Sequence, residues 1–326
     1  MMTPLPWQQS LWSELQARLA SGNLPHALLF TGAEGIGKAQ LAEVLIHRLL
    51  CLSPQTDGTA CGQCQGCGLL AAGSHPDVMR VEPAETGKAI PVDVIREVGN
   101  FLALKGQYSG RQIVLVNPAE AMNRFAANSL LKTLEEPSAE ALLILVSSKP
   151  SLLLPTIRSR CQQLPFPRPD TALAREWLAG QGVPAGDADT LLALTDGAPL
   201  MALALHAEGG LATRRDLAQI WARVAEGRED PLACAAQWAE LGLPKAVHWL
   251  ASWLTDLIRL KSGAPTVAIT NRDLLSQLQT LAERIDLKRL FSYLEQVSEY
   301  NRWASGQLNA QLALEDLMIS WSRMGR

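Results

Sequence analysis

The sequence predicts an α/β N-terminal half built on a parallel sheet, followed by an all-helical C-terminal half. Up to about Pro165, short apolar runs alternate with helical patterns, which is typical of parallel strands joined by crossover helices. From about Thr213 onward, the spacing of apolar residues is helical throughout. The chain of 326 residues is also longer than one hydrophobic core usually organises, so we expect more than one domain.

Five short apolar runs predict the strands of the sheet. They are Ala27–Thr31, Asp77–Glu82, Gln112–Val116, Ala141–Val146 and a shorter last one, Cys161–Pro165. The predicted helices cover Lys38 to about Leu50, Pro91 to about Leu104, a segment containing Asn128–Glu136, and residues 151–157. Pro91 favours a helix start because its fixed φ suits the first turn.

Three prolines, Pro165, Pro167 and Pro169, predict a hinge between the two halves. After it, residues 170–206 predict a few short helices. Six of the nine tryptophans follow residue 214, and we interpret them as packing residues between helices. Helices this rich in large apolar side chains could equally supply an oligomer interface.

The composition excludes several classes of protein. Apolar residues make up 48% of the chain and charged residues 19%, which argues against disorder. Lys and Arg number 29 against 32 Asp and Glu, which argues against a protein that coats nucleic acid by bulk charge, although a local basic groove stays open. No apolar run reaches the roughly 18 residues of a membrane span, and the N-terminus lacks a secretory pattern. We therefore expect a cytoplasmic protein with no membrane partner.

Residues 32–39, with the sequence GAEGIGKA, follow a predicted strand and open a predicted helix. A phosphate-binding P-loop needs this context, because backbone N–H groups and the helix N-terminus attract phosphate. The nucleotide-binding candidates are Gly32, Gly35 and Gly37, which permit the tight turn, and Lys38, which would reach the outer phosphates. A glycine-rich turn without function is the alternative.

Two parts of the Mg²⁺ machinery of such a site are missing. Ala39 stands where a Ser or Thr hydroxyl would bind the metal, and the third strand ends in Asn117 and Pro118 instead of an acidic pair. The degenerate loop therefore predicts no intrinsic ATPase activity. Because Lys38 is retained, ATP binding without hydrolysis stays an open alternative.

Four cysteines with the spacing C-x9-C-x2-C-x2-C predict a zinc site. The candidate ligands are Cys51, Cys61, Cys64 and Cys67. Four thiolates leave no position for water, so the zinc would be structural, not catalytic. A redox dithiol is the competing interpretation. Cys161 and Cys234 are expected to be small buried residues.

Residues 128–137 (NSLLKTLEEP) and 157–161 (IRSRC) resemble the clamp-loader branch of the AAA+ superfamily. The cysteine insertion narrows the resemblance to bacterial subunits of the DNA polymerase III clamp loader. The altered P-loop is similar to that of the delta-prime family and differs from that of the ATP-hydrolysing gamma/tau subunit. The matching motifs span roughly residues 7–161.

This resemblance implies an AAA+ P-loop core over residues 1–166 with a zinc-binding insertion at 51–67, a helical lid over 167–208, and a helical collar for oligomerisation over 209–326. It implies a non-hydrolysing stator within the polymerase holoenzyme, acting with the gamma/tau and delta subunits, the sliding clamp and primed DNA. The lid of active relatives carries a sensor arginine, and the matching position here is Leu200.

The resemblance also implies that Arg160 is an arginine finger, offered in trans to the ATP site of a neighbouring subunit. The alternative is a local ion pair between Arg160 and Glu135 or Glu136. Two other functions stay open: a working ATPase motor of the gamma/tau type that holds Mg²⁺ through unrecognised groups, and a zinc-bearing nucleic-acid-binding module with a vestigial P-loop.

Overall fold

A computed structural model describes residues 2–85, 87–108, 110–138, 140–303 and 309–324. The chain folds into two compact units. The first comprises Met1–Trp177 and Ala198–Met201, and the second comprises Leu178–Gly197 and Ala202–Arg326. The three-part division with boundaries after residues 166 and 208 stays a prediction.

The first unit contains a five-stranded, all-parallel sheet. Its strands are β1 (Ala27–Thr31), β2 (Val78–Val81), β3 (Gln112–Val116), β4 (Ala141–Ser147) and β5 (Gln162–Pro165). They lie in the order β2-β3-β4-β1-β5. The predicted parallel α/β fold is thereby confirmed, with each strand within one or two residues of its expected place.

Among the described residues, seven helices begin within Met1–Trp177, the longer segment of this unit. They are α1 (Gln9–Ala20), α2 (Lys38–Leu50), α3 (Gln65–Ala71), α4 (Val92–Ala103), α5 (Arg124–Glu135), α6 (Pro155–Arg160) and α7 (Thr171–Gly180), the last of which ends in the second unit. The helix predicted over residues 151–157 was wrong. The chain forms a 3₁₀ turn at Pro150–Leu152, and α6 starts at Pro155, whose ring sets the φ that a first helical turn requires.

Apolar side chains pack on both faces of the sheet. Successive residues of a strand point to opposite sides, so Leu28 and Phe30 enter one core while Leu29 enters the other. The first core is completed by α2 residues such as Leu41, and the second by α5 residues such as Leu130. Because both faces are covered, the strands read as continuous apolar runs.

The second unit is entirely helical among its described residues. Its helices are α8 (Ala185–Leu194), α9 (Pro199–Ala207, which begins in the first unit), α10 (Gly210–Ala225), α11 (Pro231–Ala239), α12 (Leu243–Lys261), α13 (Leu275–Arg284), α14 (Leu287–Trp303) and α15 (Ala310–Ser322). Within the described chain, no single helix is long and apolar enough to cross a membrane. Helices α8 and α9 pass that test of length and composition only as a pair, across a bend of 116°.

Tryptophans form the centre of the helical core. The fully buried members are Trp221, Trp238, Trp253 and Trp321. The rings of Trp221 and Trp321 stack at 4.0 Å between centroids and 6° between planes, and Trp253 lies 5.3 Å from Trp221. The predicted packing role is confirmed for these residues, whereas the side chain of Trp303 lies outside the described part of the structure.

Candidate functional site

The predicted P-loop connects the C-terminal end of β1 to the first residue of α2. Gly32 follows directly after Thr31, the last residue of β1, and Lys38 begins α2. Gly35 and Gly37 have φ values of 73° and 87°, a region that side-chain-bearing residues rarely adopt. The loop therefore has the strand–turn–helix setting that its sequence indicated.

The side chain of Lys38 folds inward onto the loop itself. Its ammonium group donates to the carbonyl oxygens of Gly32 and Ala33 and to the hydroxyl of Ser148, at 2.9 Å from Gly32 and 3.0 Å from Ser148. Only 5% of Lys38 is exposed. Burial lowers the pKa of this ammonium, while the carboxylates of Glu120 and Glu34 partly oppose the shift. The lysine that would hold phosphate is thus already bound by protein acceptors.

Residues far away in the sequence hold the outer side of the loop. Trp7 Nε1 donates to the carbonyl of Ile36 at 2.9 Å, and Gln8 Nε2 donates to the carbonyl of Gly37 at 2.8 Å. The backbone N–H of Leu200 donates to the carbonyl of Gly35 at 3.0 Å. Three successive loop carbonyls are therefore bound by the protein's own donors.

The side chain of Met201 also packs directly on the loop. A Cβ added to Gly35 would lie 2.4 Å from Met201 Cγ, so glycine is required there for space as well as for φ. The loop contacts of Trp7, Gln8 and Met201 were not predicted from the sequence. No local signal marks them, since each lies at least 28 residues from its partner in the chain.

Neither Ala39 nor the end of β3 offers a metal-binding side-chain oxygen of the expected kind. The backbone N–H of Asn117 donates to Val81, which continues the strand pairing of β3 with β2. A carboxylate does approach the loop from another position. Glu120 Oε1 accepts hydrogen bonds from the backbone N–H groups of Ser148 at 2.9 Å and Lys149 at 3.1 Å, while its buried Oε2 has no hydrogen-bond partner. The position of Glu120 beside the loop was not predicted from the sequence.

The four predicted cysteines come together in one cluster. Cys51 follows α2, Cys61 lies in the insertion, Cys64 precedes α3 as its N-cap, and Cys67 lies on α3. All four sulfur atoms lie within 4.8 Å of one another. The Sγ–Sγ distances are 4.0 Å for Cys61–Cys67 and 3.9 Å for Cys64–Cys51. Zinc–sulfur bonds of about 2.3 Å give a tetrahedron with edges of about 3.8 Å, so the cluster fits this metal.

Backbone N–H groups favour ionised sulfur in this cluster. The N–H of Cys61 points at Cys51 Sγ (3.2 Å), and the N–H of Cys64 points at Cys61 Sγ (3.3 Å). Burial opposes the ionisation of Cys64, but the N–H groups of Cys67 and Leu52, together with the side chains of Cys67 and Cys61, outweigh it and lower the pKa of this thiol to about 6. Backbone N–H groups also lower the pKa of Cys61, whereas burial raises the pKa of Cys51 and raises that of Cys67 to about 12. Thiolates are the form that zinc binds.

The insertion around the cysteines has little core of its own. Its buried apolar cluster consists of Cys51, Ala60 and Cys67. Outside the cysteines, Gln16 Nε2 on α1 donates to the carbonyl of Asp57 at 2.7 Å. The cysteine cluster is therefore the main point where this segment is held together.

Arg160 is the last residue of α6, and its side chain folds back along the first unit. Nη2 lies 2.7 Å from Glu135 Oε1 at the end of α5, and Nη1 donates to the carbonyl of Thr156 at 3.1 Å. The side chains of Arg160 and Glu135 are 36% and 51% exposed. The local ion pair considered as an alternative for Arg160 is thus present, while its role in trans stays a prediction.

Cys161 and Cys234 are buried, as expected from the sequence. Burial raises the pKa of the Cys161 thiol to about 12. Burial, together with the nearby Glu229 and Asp230 carboxylates, raises that of Cys234 to about 12. Both thiols are therefore unreactive packing groups.

Comparison with known proteins decides the family. The family model described as "DNA polymerase III, delta subunit" matches residues 7–170. A second family model, described as "DNA polymerase III, delta subunit, C terminal", matches residues 208–323. The delta-prime subunit of DNA polymerase III from Pseudomonas aeruginosa is 38% identical over 326 residues, covering 98% of this chain and 97% of the relative. That of Escherichia coli K12 is 34% identical, covering 96% and 94%. The chain belongs to the DNA polymerase III delta-prime family.

More distant similarities agree with this assignment. A gamma/tau subunit of Mycobacterium tuberculosis is 31% identical over 187 residues, which cover 56% of this chain and 32% of the relative. A gamma-subunit-related protein of Thermotoga maritima has the same fold, with a TM-score of 0.50 at 19% identity over 95% of this chain and 99% of that one. The resemblance inferred from the sequence motifs is therefore confirmed, as is the α/β fold with its helical C-terminal part.

Proposed function

We propose that this member of the delta-prime family is the non-hydrolysing stator of a bacterial clamp loader. The observation that carries the proposal is the end-to-end similarity to delta-prime subunits, combined with a P-loop that lacks its Mg²⁺ ligands. In this role the chain assembles with gamma/tau and delta subunits, and the complex places a sliding clamp on primed DNA. The division into core, lid and collar at residues 166 and 208 belongs to the same proposal.

The geometry of the loop supports the absence of ATP hydrolysis. Phosphoryl transfer depends on a metal that neutralises charge and on groups that position the nucleophile. Ala39, Asn117 and Pro118 supply neither a hydroxyl nor a carboxylate for these tasks. In addition, Lys38 is bound by loop carbonyls, and Met201 packs against Gly35. A bound nucleotide would have to compete with these internal contacts.

The proposed cofactor is one structural zinc ion. Cys51, Cys61, Cys64 and Cys67 would hold it, and their sulfur spacing fits a tetrahedral site. When bound, the ion cross-links the end of α2 to α3 without offering a position for substrate. Its contribution is therefore the folding of the insertion.

Arg160 is the residue proposed to act on a neighbour. Its side chain is partly exposed at the C-terminal end of α6, and a guanidinium carries a planar fork of donors that suits phosphate oxygens. Placed at the ATP site of an adjacent gamma/tau-type subunit, it would stabilise the charge that develops on the γ-phosphate.

A reconstituted loader tests this function. The chain is mixed with its gamma/tau and delta partners, and clamp loading on primed DNA is measured with wild-type protein, with Arg160→Ala and without the chain. We expect loading to require the chain, and Arg160→Ala to assemble normally but to slow hydrolysis at the neighbouring site by about 10³–10⁵, the range seen for arginine fingers. Arg160→Lys should restore little, because one ammonium cannot replace the fork. Unchanged hydrolysis and loading with Arg160→Ala would contradict the trans role.

One observation favours a second candidate function, an ATPase that holds Mg²⁺ through an unexpected group. The Oε2 atom of Glu120 has no hydrogen-bond partner, and its carboxylate acts on the nearby Lys38 ammonium. An ATP turnover by the isolated chain that disappears in both Glu120→Gln and Lys38→Ala would establish this alternative. Without such turnover the stator proposal stands.

A further inference from the structure

We propose that Glu135 forms an autoinhibitory contact, here called a latch, that holds the Arg160 side chain against its own subunit until the loader engages DNA and clamp. This inference rests on the proposed trans role of Arg160 and specifies how that role is regulated. It starts from two contacts that draw the guanidinium back onto its own chain. One is the 2.7 Å ion pair with Glu135, and the other is the 3.1 Å hydrogen bond to the carbonyl of Thr156.

The direction of the Arg160 side chain shows whether its contacts hold it back or help it to reach a neighbouring subunit. Thr156 lies four residues before Arg160 in α6, so a guanidinium bonded to its carbonyl is folded back beside its own helix. An arginine that reaches into a neighbour must instead extend away from that helix. The contact with Glu135, at the end of α5, holds the folded position from a second element. Both bonds must break or rearrange before the finger can extend.

The Glu135 carboxylate and a neighbour's γ-phosphate would compete for the same positive charge on Arg160. Glu135 offers a carboxylate to Nη2, one of the guanidinium atoms that a γ-phosphate would bind, so the carboxylate and the phosphate compete for one donor group. The two side chains are 36% and 51% exposed, so water screens their attraction and the latch is weak. A weak latch is suited to regulation, since a phosphate in the assembled complex can displace it.

The test uses the complete reconstituted loader and measures ATP hydrolysis with and without primed DNA and clamp. Glu135→Gln keeps the shape of the side chain and removes its charge. Glu136→Gln is the matched control, because Glu136 is the next residue, carries the same charge and is also exposed. Arg160→Ala and the double variant Glu135→Gln/Arg160→Ala complete the set.

We expect Glu135→Gln to raise hydrolysis in the absence of DNA and clamp by about 1.5- to 5-fold, the range that one exposed ion pair supplies. The fully stimulated rate should stay unchanged, because Arg160 is then already engaged. Glu136→Gln should leave both rates as in the wild type. The gain should vanish in the double variant, since no finger is left to release.

Other outcomes overturn the proposal in distinguishable ways. If Arg160→Ala slows hydrolysis but Glu135→Gln behaves like Glu136→Gln, the trans role stands and the latch is wrong. If Glu135→Gln lowers both rates, Glu135 orients the finger instead of parking it. If Arg160→Ala leaves hydrolysis unchanged, the trans role itself fails and the latch falls with it.

Discussion

Replacing Cys64 by serine should empty the metal site and loosen the insertion while the rest of the protein stays folded. Cys64 lies at the start of α3, and its sulfur is 3.9 Å from that of Cys51. A serine hydroxyl at this position would not be deprotonated near neutral pH and is a poor ligand for zinc compared with a thiolate.

The free energy that zinc must supply follows from the cost of ordering the insertion. Ordering the fifteen residues between Cys51 and Cys67 costs on the order of 15 kcal/mol, at about 1 kcal/mol for each backbone unit. The buried apolar cluster of Cys51, Ala60 and Cys67 contains only small side chains and returns only about 3 kcal/mol. Structural zinc sites supply about 10–16 kcal/mol, which is the amount required. Without the metal, this segment should therefore be unfolded.

Elemental analysis and hydrogen exchange check this prediction together. Wild-type protein should carry about one zinc per chain, and Cys64→Ser close to none, with fast amide exchange confined to the insertion. Near-ultraviolet circular dichroism should stay unchanged, because most of the buried tryptophans lie in the second unit. Cys161→Ser is the control, since Cys161 lies outside the cluster and the zinc content should persist. Zinc-free wild-type protein with a protected insertion would refute the reasoning.

Three further predictions concern the loop and the helical core. The isolated chain should not hydrolyse ATP. This prediction would be contradicted by an ATP turnover near 1 s⁻¹, about the lower end for competent phosphoryl-transfer enzymes, if Lys38→Ala abolished it. Gly37→Ala should destabilise the first unit by at least about 1–2 kcal/mol, measured by urea denaturation, since its φ is 87° and an added Cβ would lie 2.4 Å from Leu5 Cδ1. Gly22→Ala has a similar φ of 69° but open space around it, so a smaller loss is expected there. Trp321→Ala should cost about 3–5 kcal/mol, because it removes the ring stacked on Trp221 and the 2.8 Å hydrogen bond from Trp321 Nε1 to the Trp221 carbonyl; a thermal midpoint close to that of the wild type would count against this packing.

The sequence by itself determined the features that depend on local or periodic patterns. The strands were predictable because a sheet covered on both faces requires continuous apolar runs. The P-loop turn and the cysteine cluster were predictable because their chemistry requires particular residues at short, regular spacings. The short helix α3 was missed, since two glycines lower its helix propensity and the cysteine cluster, more than apolar periodicity, organises it.

Only the tertiary structure decided which distant groups meet at these motifs. Trp7 and Gln8 bind the P-loop, Glu120 approaches Lys38, and Glu135 pairs with Arg160. Each pair joins residues at least 25 positions apart in the sequence. Their closeness in space follows from how the helices and strands pack, and no short-range sequence pattern encodes that packing. Spacing within one element follows from the fixed rise of a helix or strand, whereas proximity between elements follows from the burial of their apolar faces.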